Sequence, residues 1–217
     1  RVSGTIGILS GDLSRYADFS IALMHQQTPV GTKLIWTKGV DVVGNMNSMV
    51  RGMHGDWLWI LGDDHVFDPD LLIRLLHRNV DVVVPLCLKR SPPYDPVVYS
   101  HQNENGEYVG YHDLPSSGLV EVHAAGSAGM LVRRSVLDAL EDPVFESHGG
   151  LNEDLTFCAK LRAAGFRLWC DTDARLGHIG QVDVWPVFKD GEWQINLHLG
   201  NGTWMPMRRI LKQEVAA

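Results

Sequence analysis

Three cysteines in 217 residues are too few, and odd in number, for a closed disulfide framework. Cys87, Cys158 and Cys170 form no CxxC pair and read as buried, reduced thiols, which fits a cytoplasmic protein. No apolar run reaches membrane length and no signal-peptide pattern occurs, so no membrane span is expected. Basic charge is also scarce. Lys and Arg number 19 against 26 Asp and Glu, a net charge of −7. The chain therefore lacks the basic face on which nonspecific binding to nucleic acid or anionic membrane depends, although an enzyme touching DNA locally stays open. Internal repeats and low-complexity tracts are missing too. What is present, 45% hydrophobic and 21% charged residues, is the composition of an ordinary globule. The length suits one domain with at most a small appendage and is enough to bury a proper core. The first residue is Arg1, not Met, which suggests that residues precede it.

The organising stretch is Trp57-Leu58-Trp59-Ile60-Leu61-Gly62-Asp63-Asp64-His65. Five apolar residues in a row read as a strand buried on both faces. In an open α/β sheet, ligands bind beyond the carboxyl ends of the strands, where this one delivers two carboxylates and an imidazole. If the chain stays extended, Asp63 and His65 point the same way and Asp64 points elsewhere. An oxygen and a nitrogen on one side make a partial site for a divalent cation. A solvated Asp-rich turn is the competing reading.

Around it, strand and helix alternate through the first ninety residues: a strand at 5–10, a helix at 14–27, a strand at 33–36, a helix at 43–53, the central strand, a helix begun by Asp68 as N-cap and Pro69, and a buried strand at 80–88. This predicts a mostly parallel, helix-covered sheet. Residues 89–118, with Pro92-Pro93, Asp95-Pro96 and an Asn105-Gly106 hairpin signal, read as irregular strands forming an insertion or a cleft wall. The small residues Ala124–Gly129 allow either a ligand or another backbone to come close. A short helix follows, with Ser135 as N-cap. Gly149-Gly150-Leu151-Asn152-Glu153-Asp154 then opens a helix over 155–164 that Gly165 stops. Glu153 and Asp154 suit the first-turn macrodipole, and equally suit a general base at the mouth of a site. A strand at 166–170 leads to Asp171-Thr172-Asp173 and to His178, which lies in the run Gly177-His178-Ile179-Gly180 and reads as structural or as a ligand. The tail reads as a hairpin turning at Asp190-Gly191. Trp204 is a lid, an acceptor platform or a cover for the core edge, and Arg208, Arg209 and Lys212 form a solvated basic end.

Taken together, strand-Asp63-Asp64-His65, Gly149–Asp154 opening a helix, and Asp171–His178 resemble, in order and spacing, the nucleotide-sugar glycosyltransferases of GT-A fold. Trp57–His65 is similar to their Asp-x-Asp metal motif, in the Asp-x-His form of the polypeptide N-acetylgalactosaminyltransferases. Glu153-Asp154 with Leu155, Cys158, Leu161 and Gly165 resembles the Glu-Asp helix of bacterial inverting family-two enzymes. The resemblance implies an α/β, Rossmann-like GT-A domain over 1–182, with a mixed, mostly parallel sheet flanked by helices. A C-terminal β-hairpin and tail over 183–217 would pack on it. It implies metal-dependent sugar transfer from a nucleotide-sugar donor, such as a UDP-sugar, to an acceptor hydroxyl on a glycan, a protein or another compound. Asp63, His65 and His178 would hold Mn²⁺ or Mg²⁺; Leu9, Ser10 and Asp12 would hold the base; Asn47 would support the nucleotide; Asp64 would lie near the ribose or donor sugar. Asp154 would deprotonate the acceptor, and Glu153 would orient acceptor or donor.

Against the pattern, Ser10-Gly11-Asp12 replaces the usual Pro-x-Tyr-Asn ending of the first strand, and His65 replaces the second Asp. The Asp-x-His form leans toward retention and the Glu-Asp helix toward inversion. A nucleotidyltransferase is the rival reading, but its first loop would need a basic residue before Arg15. A metal-dependent hydrolase would show more ligands, and a noncatalytic sugar- or nucleotide-binding module would not need Asp154.

Overall fold

A computed structural model describes residues 3–11, 16–90, 93–180, 183–198 and 204–207. The first half runs β1 (Thr5–Ser10), α1 (Ala17–His25), β2 (Lys33–Lys38), α2 (Val42–Gly52), β3 (Trp57–Gly62), β4 (His65–Phe67), α3 (Leu71–His77) and β5 (Val82–Cys87). Then come β6 (Val98–Gln102), β7 (Tyr108–Gly110), β8 (Leu119–Val122), β9 (Ala124–Ala125), β10 (Leu131–Arg133), α4 (Arg134–Ala139) and α5 (Glu153–Ala163). The chain ends on β11 (Leu168–Ile179), β12 (Asp183–Lys189), β13 (Glu192–His198) and β14 (Trp204–Met207).

The main sheet has the order β14-β13-β12-β11-β5-β10-β3-β1-β2, with β4 and β8 also paired to β11. Strands β2, β1, β3, β5 and β11 point one way and β10 runs against them. This is the α/β, mixed sheet of the GT-A plan. The tail hairpin turns at Asp190-Gly191, both at positive φ, and continues the same sheet through an antiparallel β11–β12 pair. A separate three-stranded sheet, β7-β6-β9, forms from the irregular segment.

The core lies on both faces of the sheet, and β3 shows why its sequence is apolar throughout. Trp57, Trp59 and Leu61 pack with Phe19 of α1 and Leu71, Leu72 and Leu75 of α3. The alternate residues Leu58 and Ile60 pack with Met46 and Met49 of α2 and Phe157 and Leu161 of α5. Each such side chain contributes about 1.5–3 kcal/mol by burial. Gly7 lets α2 come close: a Cβ there would lie 2.6 Å from the Met49 sulfur.

Local chemistry moves several expected boundaries. Helix α3 starts at Leu71 with Asp70 at the N-cap position, not at Pro69, because Asp68 and Asp70 spend their carboxylates on Arg74 at 2.7 and 2.6 Å. Ser135 lies inside α4 and does not cap it. The helix start is anchored instead by Arg134, which donates to the Gly55 and Met53 carbonyls. Helix α5 begins two residues early, at Glu153, and ends before Gly165 at φ 83°. Strand β11 does not stop at Cys170. It passes through a bulge between Asp171 and Arg175 and runs on to Ile179. Arg78 holds that bulge, making two 2.7 Å bonds to the fully buried Asp171 and one of 2.6 Å to Asp173. The three cysteines are buried and unbridged. Among the described residues, no helix is long and apolar enough to cross a membrane.

Candidate active site

Strand β3 ends at Gly62, and the chain turns at Asp63-Asp64 before β4. The alternation expected of extended chain fails at that turn, so Asp63 and His65 do not share a side. Asp63 is buried against β1 and accepts from Ser10 Oγ at 2.6 Å, while Ser10 Oγ accepts from Trp36 Nε1 at 2.7 Å. The Asp63 amide donates to the Leu9 carbonyl. Asp63 and Ser10, expected to bind metal and base, thus tie together the ends of β1, β2 and β3.

Asp64 takes the place expected of Asp63. Its carboxylate oxygens lie 3.3 Å from His178 Nε2 and 3.7 Å from His65 Nε2, and Arg90 forms an ion pair with it. The two imidazole rings are 5.1 Å apart. Strand pairing brings them together, since His178 of β11 lies opposite His65 of β4. His178 Nδ1 donates to the Leu88 carbonyl at 3.0 Å, which aims Nε2 at Asp64. The Gly62 amide donates to His65 Nδ1 at 3.0 Å.

Charge follows this geometry. Burial disfavours the Asp64 carboxylate, but the His178 hydrogen bond and the cationic charge around it prevail and hold its pKa at about 2. Burial also disfavours charge on His178; its bonds to Asp64 and the neighbouring Cys87 sulfur outweigh that and raise it to about 10. His65 is buried more completely and falls to about 4, against the pull of Asp64.

Asp64, His65 and His178 line a cavity of about 530 Å³, within the range of small-ligand sites. Leu9, Gly62, Lys89, Arg90, Gly126, Ser127, Ala128, Glu153 and Asp154 also line it. The small residues 126–128 leave space here, and a Cβ on Gly126 would sit 3.3 Å from Asp154 Oδ2. Burial, then the charge of Glu153, raises the Asp154 pKa from 3.8 to about 6, against amide hydrogen bonds from Leu155 and Ser127 that lower it.

Two other candidate residues lie elsewhere. Asn47 is buried in α2, where its amide donates to the Phe145 carbonyl at 2.7 Å and its oxygen accepts from the Phe145 amide at 3.0 Å. It is a cross-link between segments and does not reach the cavity. Trp204 lines a second cavity with Arg74, Arg175 and Trp185, not the first. Asp12, like Arg208, Arg209 and Lys212, lies outside the described residues. Sequence reasoning passed over Lys89, Arg90 and Cys87. The signal for the basic pair was its place directly after a buried strand, where ligands of such sheets sit.

A family model described as glycosyltransferase like family 2 matches residues 24–189. The chain belongs to that family. No curated protein sequence matches it. Among solved structures, it is similar to the A197 protein from STIV, with a TM-score of 0.58 at 13% identity, covering 96% of both chains. It is also similar to GalNAc-T7, in a structure with UDP, GalNAc and Mn²⁺. There the TM-score is 0.58 at 11% identity, over 82% of this chain. The match spans 44% of the GalNAc-T7 chain in that structure. At these identities the likeness is one of fold, and the fold is that of the GT-A glycosyltransferases.

Proposed function

We propose that the 530 Å³ cavity binds a nucleotide-sugar donor and transfers its sugar to an acceptor hydroxyl, with Asp154 as general base. One observation carries this reading. A carboxyl with its pKa raised to about 6 faces the same cavity as the Asp64–His65–His178–Arg90 cluster, in a chain of a glycosyltransferase family. The two halves of the reaction need these two ends. A diphosphate leaves poorly unless its growing charge is met, and Lys89 and Arg90 supply fixed cations where it would lie. A hydroxyl attacks poorly unless its proton is taken, and Asp154 is ionised yet basic enough to take it at neutral pH. Glu153, adjacent on the same first turn, keeps that carboxyl basic through its charge and can orient the acceptor. Direct attack by a hydroxyl so activated inverts the sugar's anomeric carbon. Leu9, at the end of β1, lines the same cavity.

The donor set also fits a divalent cation. His178 Nε2, oriented by the Leu88 carbonyl, lies with Asp64 and His65 in one cluster. A bound cation would supply Lewis-acid stabilisation of the departing diphosphate. The histidine at position 178 would give up the proton it shares with Asp64 to accommodate it.

Thermal unfolding with a panel of nucleotide sugars and nucleoside diphosphates, each with and without a divalent cation, tests this reading. A ligand at a hundred times its Kd stabilises by about 2.7 kcal/mol, roughly 5–10 °C for a chain of this size. The expected result is such a shift for one nucleotide family, lost in Asp64→Ala. No shift with any donor contradicts the reading.

A further inference from the structure

We infer that Cys87 is a ligand of the cation, and that this site is built for Zn²⁺ and not for Mn²⁺ or Mg²⁺. This rests on the cluster proposed above as the cation site, but not on sugar transfer itself. Cys87 is the last residue of β5, and β5 and β4 flank β11 on its two sides, with Leu176 opposite both Cys87 and Phe67. That pairing brings the Cys87 sulfur and one nitrogen each of His65 and His178 within 4.8 Å of one another. All three residues are largely buried, and the hydrogen bond that the sulfur donates, to the Leu88 carbonyl, is a weak one of 3.5 Å. Cys158, by contrast, is bonded to the Ala125 backbone, away from both imidazoles.

The softness of the donors decides the metal. Mn²⁺ and Mg²⁺ favour carboxylate, carbonyl and water oxygens; thiolate with imidazole favours Zn²⁺. Zinc–nitrogen bonds of about 2.0–2.1 Å and a zinc–sulfur bond of about 2.3 Å put tetrahedral donors roughly 3.3–3.8 Å apart. The present spread is within a side-chain rotation of that. Three protein donors leave a fourth position, which is what a catalytic zinc needs. Asp64, 3.3 and 3.7 Å from the two imidazoles, is placed to fill it until a ligand does. Loading the ion requires the Cys87 thiol to lose its proton and the Gly62 amide to release His65 Nδ1, either because Nδ1 itself ligates or because it takes the proton that a ligating Nε2 gives up.

Titration of the full chain with Co²⁺, which takes zinc's ligands and is coloured, tests the assignment. The expected result is a sulfur-to-cobalt charge-transfer band in the near ultraviolet. Zn²⁺ should displace it, and Mn²⁺ should not at the same concentration. In Cys87→Ser the band should vanish, with Zn²⁺ affinity at least about tenfold weaker and Mn²⁺ affinity little changed. Circular dichroism and metal-free melting establish that the variant folds. If it does not, the wild-type spectrum decides alone. A Co²⁺ complex without the sulfur band, Mn²⁺ binding as tight as Zn²⁺, or no metal binding at all overturns the assignment. Nucleoside diphosphate release from nucleotide sugars, measured on the same samples, keeps the two questions apart. Transfer that proceeds without a sulfur-bound metal removes Cys87 from the site and leaves the transferase reading standing.

Discussion

A carboxyl with its midpoint near 6 is mostly ionised at neutral pH, and more basic by about two units than an ordinary aspartate. If Asp154 is the base, kcat/KM rises with pH through an apparent midpoint near 6, and Asp154→Asn loses a factor of about 10²–10⁴ and the acid limb together. The same group has a stability consequence of defined sign. Its folded-state pKa lies above its unfolded value, so the folded chain holds the proton more tightly. Its contribution is full below about pH 4 and is lost as pH rises through 6, an amount of order 3 kcal/mol. Asp154→Asn is therefore expected to be more stable than wild type at about pH 8, with the gap closing near pH 4, as urea denaturation at the two pH values would show. Asn47 makes the opposite prediction. Asn47→Ala strands both the amide and the carbonyl of Phe145 in the core, at a cost of about 2–4 kcal/mol, and leaves donor affinity unchanged. A larger loss of affinity than of stability would return Asn47 to the nucleotide site.

Among the elements, what could be read from sequence and what could not divide for a physical reason. β3 and β5 were legible because strands buried on both faces read as continuous apolar runs, here Trp57–Leu61 and Val82–Cys87. The turn after β3 was not legible. Alternation assumes extended chain, and two residues of turn exchange the parts played by Asp63 and Asp64. Cys87 meets the imidazoles through the pairing of β5 with a strand some ninety residues later, and Arg90 reaches Asp64 from just past the end of a strand that is separated from β3 by β10; local pattern encodes neither. The length of β11 was missed likewise, since its bulge is held by Arg78 at the C-cap of α3. Arg78→Ala leaves the Asp171 carboxylate buried without its partner and is expected to destabilise by about 3–5 kcal/mol in chemical denaturation. A value below 1 kcal/mol would mean that the bulge is held by other contacts. Gly126→Ala acts where β9 runs into the site. Its Cβ would lie 2.8 Å from Val97 Cγ1 and 3.3 Å from Asp154 Oδ2. We expect about 1–3 kcal/mol of overpacking, with kcat reduced more than donor affinity. Unchanged kcat would separate Asp154 from the chemistry.

The whole molecule places these parts by one rule of open sheets. β1, β3, β5 and β11 point the same way, and Leu9, Gly62, Lys89, Arg90 and His178 all come to one cavity near their carboxyl ends. Against a net charge of −7, Lys89 and Arg90 bring two cations to the cavity, beside the acids Asp64, Glu153 and Asp154. The family, the fold and the cavity converge on glycosyl transfer, and the direct measurement is release of nucleoside diphosphate from a panel of nucleotide sugars, with divalent cations and simple hydroxyl acceptors supplied. The account predicts turnover of at least one donor by the wild-type chain, rising with pH through about 6, and a loss of at least about a hundredfold in Asp154→Asn. Release from no donor, or release that Asp154→Asn sustains at the wild-type rate, would contradict it.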